Sequence, residues 1–288
     1  MAVFAVDAGG TRIKLAVVSD GTILAKTSLD ARSSEGLGPA LPRIAEALRA
    51  LGEYSVSGLA MAFPSLIEGD RVIGGVGKYQ DAETLDLAAW TRDEFGVPFA
   101  IENDARMAAI GEWRFGAGQG VSDLAMVTLG TGIGTAVVSE GRVLRGRHGA
   151  AAILAGHMTG FVSGRPCPCG NVGCWETEAS TSALPHLSET YRDYAAVFGS
   201  DDAEAVRIRE RSLEVWSALA VSLVHAYDPE VLIFGGGVMA SGEAILSPIR
   251  EYVHLHAWTP WGSPRVMPAM LGNDAALVAS EWLLQEVR

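Results

Sequence analysis

Ala16-Val17-Val18-Ser19-Asp20-Gly21-Thr22-Ile23-Leu24 recurs 120 residues later as Ala136-Val137-Val138-Ser139-Glu140-Gly141-Arg142-Val143-Leu144. The same offset superimposes Gly10-Thr11 on Gly130-Thr131. Apolar runs on both sides of an Asp-Gly or Glu-Gly pair predict a β-hairpin closed by a tight turn. Chance supplies a few apolar matches, but turn, glycines and strands in one register favour duplication. We therefore expect two related α/β domains that each open with a glycine-punctuated hairpin and face a cleft.

The rest of the chain divides into predicted strands and helices. The predicted strands are Val3–Val6, Ile13–Val18, Ile23–Ser28, Ser57–Phe63, Phe99–Glu102 and Val231–Phe234. The predicted helices are Pro39–Leu51, Leu85–Phe95, Ala105–Phe115, Ser212–Tyr227 and Asp274–Glu286. A second strand follows the first glycines where a dinucleotide-binding unit would have a helix, so that unit is not expected. We place an N-terminal α/β domain at 1–117 and a C-terminal one at 118–273, with 274–288 able to pack back on the first.

Length and composition narrow the class of protein. The 288 residues suit one large or two medium domains, and a hydrophobic share of 49% is enough for sizeable cores. A net charge of −12 argues against nucleic-acid binding, because no basic face is available to release phosphate counterions. No stretch approaches the ~18 apolar residues of a membrane span, and the N-terminus shows no signal peptide. Reduced cysteines agree with the cytoplasmic location that we expect.

The three cysteines of the chain, Cys167, Cys169 and Cys174, fall within eight positions. An odd trio cannot pair completely into disulfides, and this spacing lets three thiolates converge on one soft ion. A fourth ligand is needed to complete the site. His157 is the natural candidate, and His148 is the competitor.

Two glycines of the same stretch favour a metal site over buried, inert cysteines. Gly170 and Gly173 allow the tight backbone turns of a metal-binding knuckle. With four protein ligands, a zinc ion would be closed to substrate and would shape a loop without activating water. It would also hold His157 and Glu176 side by side.

Three glycine clusters follow predicted strands: Gly9-Gly10-Thr11, Gly130-Thr131-Gly132 and Gly235-Gly236-Gly237. Backbone N–H groups at such turns can hold phosphate oxygens without a cationic side chain. The first two clusters are predicted to grip a triphosphate, and the third to let an adenine base approach the backbone. Asp7, at the end of its strand, is placed to hold Mg2+ through water. Ordinary tight turns are the alternative for each cluster.

Gly77-Lys78 has the Gly-Lys pair of a phosphate-binding P-loop, but other required residues are missing. Tyr79 replaces the Ser or Thr that must follow the lysine, and Val72 replaces the first glycine. We therefore predict no P-loop here.

Glu102-Asn103-Asp104 ends a predicted strand and opens a predicted helix. A simple helix cap by Asn103 or Asp104 is one interpretation. Phosphoryl transfer to a hydroxyl, however, needs a carboxylate that accepts the proton during an in-line attack. Asp104 is placed for that role, with Asn103 beside it to bind a neighbouring hydroxyl.

Together these motifs resemble the ROK family of the sugar-kinase/actin superfamily, over nearly the whole chain. Residues 7–14 resemble its first phosphate motif, 102–105 its catalytic segment, and Gly156-His157 with 167–176 its zinc signature. The resemblance implies a two-domain α/β kinase fold of the actin-like, ribonuclease H-like type, with a cleft between duplicated domains. It further implies ATP and Mg2+ as cofactors, a structural Zn2+ and a homodimer. Since the chain starts at the first strand, without the DNA-binding domain of ROK repressors, we expect the kinase branch.

The resemblance also implies roles for individual residues. Asp104 would be the general base. Sugar contacts are implied for Asn103, Asp104, His157 and Glu176, with Ser65 in the sugar loop, and the zinc ligands would be His157, Cys167, Cys169 and Cys174. Nucleotide contacts are expected from Asp7, Gly9, Gly10, Thr11, Lys14, Gly130, Thr131, Gly132, Gly235, Gly236 and Gly237.

Departures from the family pattern concern the sugar. Leu154 stands where family kinases usually have a Glu that bonds hydroxyls near the anomeric carbon. Ser65 replaces the usual glycine, and the usual Pro-Asn-Leu is not recognisable in 77–80. A hydroxyl left unpaired typically costs about 1–3 kcal/mol.

The sequence therefore predicts an ATP-dependent kinase for a primary hydroxyl of glucose, a related sugar, a sugar derivative or a cyclitol. One alternative is a kinase whose substrate lacks a polar group at the Leu154 end. The other is a non-catalytic sugar sensor, although a sensor has no need of the base Asp104.

Overall fold

The computed structural model describes residues 1–74 and 78–286. Gly77 of the Gly77-Lys78 pair and the last two residues of the 274–288 segment lie outside this part of the chain. The strands are β1 (Ala2–Ala8), β2 (Arg12–Ser19), β3 (Thr22–Asp30), β4 (Val56–Phe63), β5 (Leu66–Glu68), β6 (Arg71–Ile73), β7 (Phe99–Asn103), β8 (Leu124–Leu129), β9 (Ile133–Ser139), β10 (Arg142–Val143), β11 (Val231–Gly235) and β12 (Arg265–Pro268). The helices are α1 (Leu41–Arg49), α2 (Leu87–Phe95), α3 (Asp104–Phe115), α4 (Trp175–Ala179), α5 (Leu184–Leu187), α6 (Tyr194–Phe198), α7 (Ala203–Tyr227), α8 (Glu243–His256), α9 (Ala275–Val278) and α10 (Ser280–Glu286).

Two five-stranded sheets repeat one topology. The first has the order β3-β2-β1-β4-β7, and the second has the order β10-β9-β8-β11-β12. In each sheet the first long strand pairs antiparallel with its hairpin partner and parallel with the next strand, as β1 does with β2 and β4, and β8 with β9 and β11. This shared order is the structural counterpart of the 120-residue repeat in the sequence.

Both predicted hairpins close through two-residue turns. Asp20 and Gly21 have φ angles of 51° and 70°, and Glu140 and Gly141 have φ angles of 50° and 68°. Positive φ at both central positions is the type I′ geometry, whose twist matches that of the flanking strands. The hairpin prediction is confirmed in both halves of the chain.

The second hairpin is much shorter than the first, because the chain leaves it early. β3 has nine residues, whereas β10 has two. The chain then runs through residues 145–151, which belong to the same compact unit as the N-terminal part of the chain. Arg145 reaches Glu102 there, and a β-carbon on Gly149 would overlap the carbonyl of Ile67. The sequence places 145–151 in the C-terminal domain, whereas these contacts, which are distant in the sequence, group them with the first unit.

The chain forms two compact units. The first comprises 1–116, 145–151 and the segment that starts at Asn273, and the second comprises 117–144 and 152–272. Each unit has its own apolar core. That of the first includes Ile13, Leu15 and Phe63, and that of the second includes Trp216 and Phe234.

The C-terminal helices belong to the first unit, where α9 packs on α3 and α10 packs on β4. Gly111 permits the close approach, since a β-carbon there would overlap the backbone of Ala275. The sequence predicts one helix over 274–286, and the structure interrupts it at Ala279.

The long helix of the second unit, α7, begins at Ala203, ahead of the predicted start at Ser212. Its cap explains the earlier start, because the Asp202 carboxylate accepts hydrogen bonds from the backbone N–H groups of Glu204 and Ala205. Among the described helices, none is both long enough and apolar enough to cross a membrane.

Candidate active site and metal centre

Asp104 is the first residue of α3, where the helix follows β7. Asn103 caps the helix, since its Oδ1 accepts a hydrogen bond of 3.1 Å from the Arg106 N–H. The half-buried Asp104 carboxylate accepts bonds from the Ala105 N–H at 2.8 Å and from Asn103 Nδ2 at 3.2 Å. The cap predicted as the alternative is therefore present, but Asn103 provides it.

The carboxyl of Asp104 has a strongly perturbed pKa. Burial, followed by the negative charge of Asp7, raises that pKa from 3.8 to about 6. The Ala105 N–H and the Lys78 ammonium act in the opposite direction. A carboxylate with a pKa near 6 is a better proton acceptor than an ordinary aspartate and is still ionised at neutral pH.

A buried charge network supports this strand-to-helix junction, and sequence reasoning missed it. Glu102 accepts from Arg106 Nη1 at 2.6 Å and from Arg145 Nε at 2.8 Å. Arg106 is 1% exposed, and its Nη2 donates to the carbonyls of Gly149 and Ala151. Glu102 is in β7 and Arg106 is in α3, so no helical spacing in the sequence indicated this pair. The network ties 145–151 to the start of α3.

Ser65, predicted to contact sugar, has structural partners. Its carbonyl accepts a bond from Asn103 Nδ2 at 3.1 Å. Its hydroxyl lies 3.0 Å from the Ile73 carbonyl and 3.1 Å from that of Gly74, so it donates to the hairpin of β5 and β6. A sugar contact by Ser65 would therefore use the hydroxyl as an acceptor or displace it from the hairpin, and that contact stays a prediction.

The first glycine turn follows β1. The Asp7 carboxylate forms a salt bridge of 2.8 Å with Lys14 Nζ. Lys14 also donates to the Asn273 carbonyl at 3.1 Å. Gly9 is required by the turn, because a β-carbon there would lie 2.8 Å from the Arg12 carbonyl oxygen. A hydrated Mg2+ at Asp7, which stays a prediction, would share the carboxylate with Lys14.

Other parts of the chain hold the same turn in place. The Thr11 carbonyl accepts a bond of 3.0 Å from the Ala31 N–H, and the Gly10 carbonyl accepts one of 2.8 Å from Ser33 Oγ. The side chain of Lys78 covers Gly10, where a β-carbon would lie 2.5 Å from Nζ. The sequence predicts no P-loop at Lys78, yet its side chain contacts the glycine turn that follows β1.

The second glycine turn joins β8 to β9 and is held by the segment after α4. The N–H groups of Thr181 and Ser182 each donate a 3.0 Å bond, to the carbonyls of Gly130 and Thr131 respectively. The turn closes through the Gly130 N–H and the Gly132 carbonyl, 3.0 Å apart. A β-carbon on Gly130 would meet nothing within 4 Å, so this residue faces open space.

The third glycine cluster lies beside the second turn. Gly236 has a φ of 91°, and a β-carbon there would overlap the backbone of Leu129, the residue before the turn. Gly235 packs against Met126 and Ala269, whereas a β-carbon on Gly237 would meet nothing within 4 Å. Packing thus accounts for two of the three glycines, whereas Gly237 faces open space.

The four predicted metal ligands converge. Ligand atoms of His157, Cys167, Cys169 and Cys174 all lie within 4.8 Å of one another. Cys167 Sγ is 3.5 Å from His157 Nδ1, and Cys169 Sγ is 3.7 Å from Cys174 Sγ. Tetrahedral Zn2+ separates two thiolates by about 3.8 Å, and a thiolate from an imidazole nitrogen by about 3.5 Å. The donor set and its spacing therefore fit zinc.

The predicted alternative ligand lies elsewhere. His148 belongs to the first unit, and its Nδ1 is 3.3 Å from Glu68 Oε1. Gly170 and Gly173 adopt φ angles of 93° and 72°, as the predicted knuckle requires.

Glu176 links the predicted metal ligands to the second glycine turn. Its Oε1 is 3.9 Å from His157 Nε2, and its Oε2 accepts a 2.8 Å bond from the Ile133 N–H. A β-carbon on Gly132 would overlap this carboxylate. Cys174 directly precedes α4, so a predicted metal ligand and the carboxylate at the turn lie in the same short segment.

Leu154 precedes the 3₁₀ turn that ends at His157, and the two residues are joined by a 2.9 Å bond from the His157 N–H to the Leu154 carbonyl. Leu154 is 40% exposed. The residue thus presents an apolar surface close to a predicted sugar contact.

Several known proteins are similar to this chain in sequence or in fold. A glucokinase of Thermotoga maritima is 30% identical over 98% of this chain and 96% of its own length. The ROK family glucokinase of Streptomyces griseus, solved in complex with glucose and AMPPNP, is 29% identical with a TM-score of 0.82, covering 99% of this chain and 100% of that one. A xylose repressor of Bacillus subtilis is 28% identical over 77% of this chain and 59% of its own length.

The family match spans both units and all the motifs discussed above. The family model of the ROK family matches residues 3–287. The predicted fold class, the α/β fold of actin-like sugar kinases, is confirmed by the Streptomyces griseus structure. The chain belongs to the ROK family.

Proposed function

We propose that this chain is a kinase that transfers the γ-phosphoryl group of ATP to a primary hydroxyl of a hexose or related sugar. The observation that carries the proposal is Asp104. Its carboxylate lies at the start of a helix, and its pKa of about 6 suits a general base. The glucokinases to which the chain is similar, one solved with glucose and AMPPNP, support the same reaction.

Asp104 would accept the proton of the attacking hydroxyl while the hydroxyl oxygen forms its bond to phosphorus. Positioning and charge neutralisation supply most of the catalysis in phosphoryl transfer. Glycine turns at 9–11 and 130–132 would bind the phosphates through backbone N–H groups, with Gly237 beside the base. The sugar contacts of Asn103, Asp104, His157, Glu176 and Ser65 are part of the proposal.

Two metals complete the proposed enzyme. Mg2+ would accompany ATP near Asp7 and neutralise phosphate charge. Zn2+ would be held by His157, Cys167, Cys169 and Cys174, and four protein ligands make it structural. A dimer, implied by the resemblance, stays a prediction.

A screen of hexoses, sugar derivatives and cyclitols with ATP and Mg2+, read by coupled ADP release, tests the proposal. We expect at least one hexose-type compound to give turnover that saturates with its concentration. If none of these compounds leads to ATP consumption, the kinase assignment is overturned.

A sugar-responsive regulator is the second candidate, favoured by the similarity to a xylose repressor. The Asp104 site weighs against it, since a protein that only binds sugar has no use for a base of raised pKa. Sugar binding by calorimetry without any ADP release would favour the regulator.

Leu154 is expected to weaken glucose binding. If the pocket holds a hexose as family kinases do, this leucine leaves one or two hydroxyls without a partner, at a cost of about 1–3 kcal/mol each. We expect a glucose KM above ~1 mM. Leu154→Glu should lower it, whereas Leu154→Met, an apolar control of similar volume, should not.

The same variants identify the natural substrate. A substrate that is apolar or substituted at this end should become worse in Leu154→Glu. A wild-type enzyme that already prefers glucose and is only harmed by Leu154→Glu would show that another group compensates for the missing carboxylate.

Variants of the glycine turns test the nucleotide site. Gly130→Val places its side chain in open space, so the fold should survive while the KM for ATP rises about tenfold or more. Gly132→Val displaces Glu176 and should raise the KM values for both ATP and sugar, and Gly10→Val should raise that for ATP. Normal ATP kinetics in folded Gly10→Val and Gly130→Val variants would contradict the phosphate-binding role.

A further inference from the structure

Lys78 is held at the first glycine turn by the residue that follows it. Tyr79 donates through its hydroxyl to the Gly9 carbonyl at 2.9 Å, and its N–H donates to the Ser33 carbonyl at 2.9 Å. Ser33 Oγ in turn donates to the Gly10 carbonyl. Tyr79 is 1% exposed and has a φ of 50°, a backbone conformation that only such anchoring maintains in a tyrosine.

The lysine side chain lies directly on Gly10. A β-carbon built on that glycine would be 2.5 Å from both Cε and Nζ of Lys78. The absence of a side chain at position 10 is therefore what lets the ammonium reach the turn. Gly9 is different, because its own turn requires it.

The ammonium also lies in the field of the proposed catalytic groups. Its positive charge acts on Asp104 against the negative charge of Asp7. An anion bound at the turn would accept hydrogen bonds both from backbone N–H groups and from the ammonium above them. The three charged groups and the turn all belong to the first unit.

From this arrangement we propose that Lys78 is a catalytic residue that contacts the phosphoryl group transferred from the nucleotide at the Gly9–Gly10 turn. The proposal rests on the kinase function given above. As the sugar oxygen forms its bond to the γ-phosphorus, the bond to the β-phosphate oxygen breaks and its electron pair leaves with ADP. The proton of the hydroxyl goes to Asp104. Lys78 keeps its proton throughout and neutralises charge on the phosphoryl oxygens.

Lys78→Met is the decisive variant, and Lys26→Met is its control. Lys26 is an exposed lysine of β3 paired with Asp274. We expect Lys78→Met to lower kcat by roughly 10²-fold, as does loss of one preorganised donor in other enzymes. Its affinity for AMPPNP, measured by calorimetry with Mg2+, should fall about tenfold or more, with adenosine affinity unchanged. Lys26→Met should match the wild type in all three measurements.

A second variant guards against misfolding. Gly10→Ala adds one methyl group that must push the flexible lysine aside, so it should weaken AMPPNP but not adenosine while thermal unfolding stays near that of the wild type.

The outcomes separate the two proposals. A wild-type enzyme that phosphorylates a sugar, together with Lys78→Met of equal kcat and equal AMPPNP affinity, overturns the role of Lys78 and leaves the kinase function standing. Equal losses for AMPPNP and adenosine in Lys78→Met also overturn it, because a phosphate contact cannot weaken a ligand without phosphate. A wild-type chain that neither binds AMPPNP nor releases ADP overturns both proposals.

Discussion

Asp104→Asn is expected to lower turnover by roughly 10²–10⁴-fold, the usual contribution of a general base. Asparagine has nearly the same shape and can accept the same bonds from the Ala105 N–H and Asn103 Nδ2. It cannot accept the hydroxyl proton. Sugar and AMPPNP affinities, measured by calorimetry, should therefore change little while kcat collapses.

The pH dependence of the wild-type enzyme should carry the signature of the same carboxyl. Because its pKa is raised to about 6, kcat/KM should fall as pH drops through about 6, since the protonated form is no base. The residual kcat/KM of Asp104→Asn should not show this decrease at low pH.

As pH falls, the contribution of Asp104 to stability should rise while the activity falls. A raised pKa means that folding favours the protonated carboxyl, so this group stabilises the fold below pH 3.8 and that contribution is lost as pH rises through about 6. At neutral pH the ionised carboxylate opposes folding. We therefore expect the Tm of Asp104→Asn to be no lower than that of the wild type at pH 7.

Asp86→Asn is the matched control, because Asp86 caps α2 by accepting a 2.8 Å bond from the Ala89 N–H. Asparagine and aspartate cap helices about equally well. If both variants keep activity within a few-fold of the wild type, then Asp104 is a structural residue and the base lies elsewhere.

Cys169→Ser is expected to abolish stoichiometric zinc binding, which metal analysis of the wild type should give as one ion per chain. Cys169 is the exposed member of the cluster, so the substitution disturbs packing less than a change at Cys167 or Cys174 would. Structural zinc contributes about 10–16 kcal/mol in zinc-finger peptides. Even partial loss should lower Tm by roughly 10 °C, at about 2–4 °C per kcal/mol for a domain of this size.

The loss of local stability in Cys169→Ser should extend along α4 to the second glycine turn. This helix starts from Cys174 and carries Glu176, which bonds to the Ile133 N–H. Amide hydrogen exchange in Cys169→Ser should therefore speed up at Ile133, Thr181 and Ser182, in addition to the cluster itself. Sugar affinity should fall as well, because the ion orients His157 beside Glu176.

Ser163→Ala, in the exposed loop between His157 and the cysteines, serves as the control and should leave zinc content, Tm and exchange unchanged. A wild-type chain purified without zinc, or a Cys169→Ser variant with unaltered Tm and sugar affinity, would end the claim of a structural metal.

The sequence alone determined the features that depend on near neighbours in the chain. Asp20-Gly21 and Glu140-Gly141 specify their turns because few other pairs tolerate positive φ at both positions. Three cysteines within eight residues must lie close together in any fold, so a metal site could be predicted from spacing. The position of Asp104, between a strand and a helix, followed from periodicity in the same way.

Tertiary structure alone decided which distant groups meet. The choice of His157 over His148 as a ligand depended on the path of the chain after β10, where 145–151 leave for the first unit. The pairing of Glu102 with Arg145 joins residues 43 positions apart. Lys78 reaches Gly10 because Tyr79 and Ser33 anchor its backbone there, although no sequence motif joins the two positions. Such contacts arise from the packing of whole elements, whereas local patterns report only the conformational preferences of a few consecutive residues.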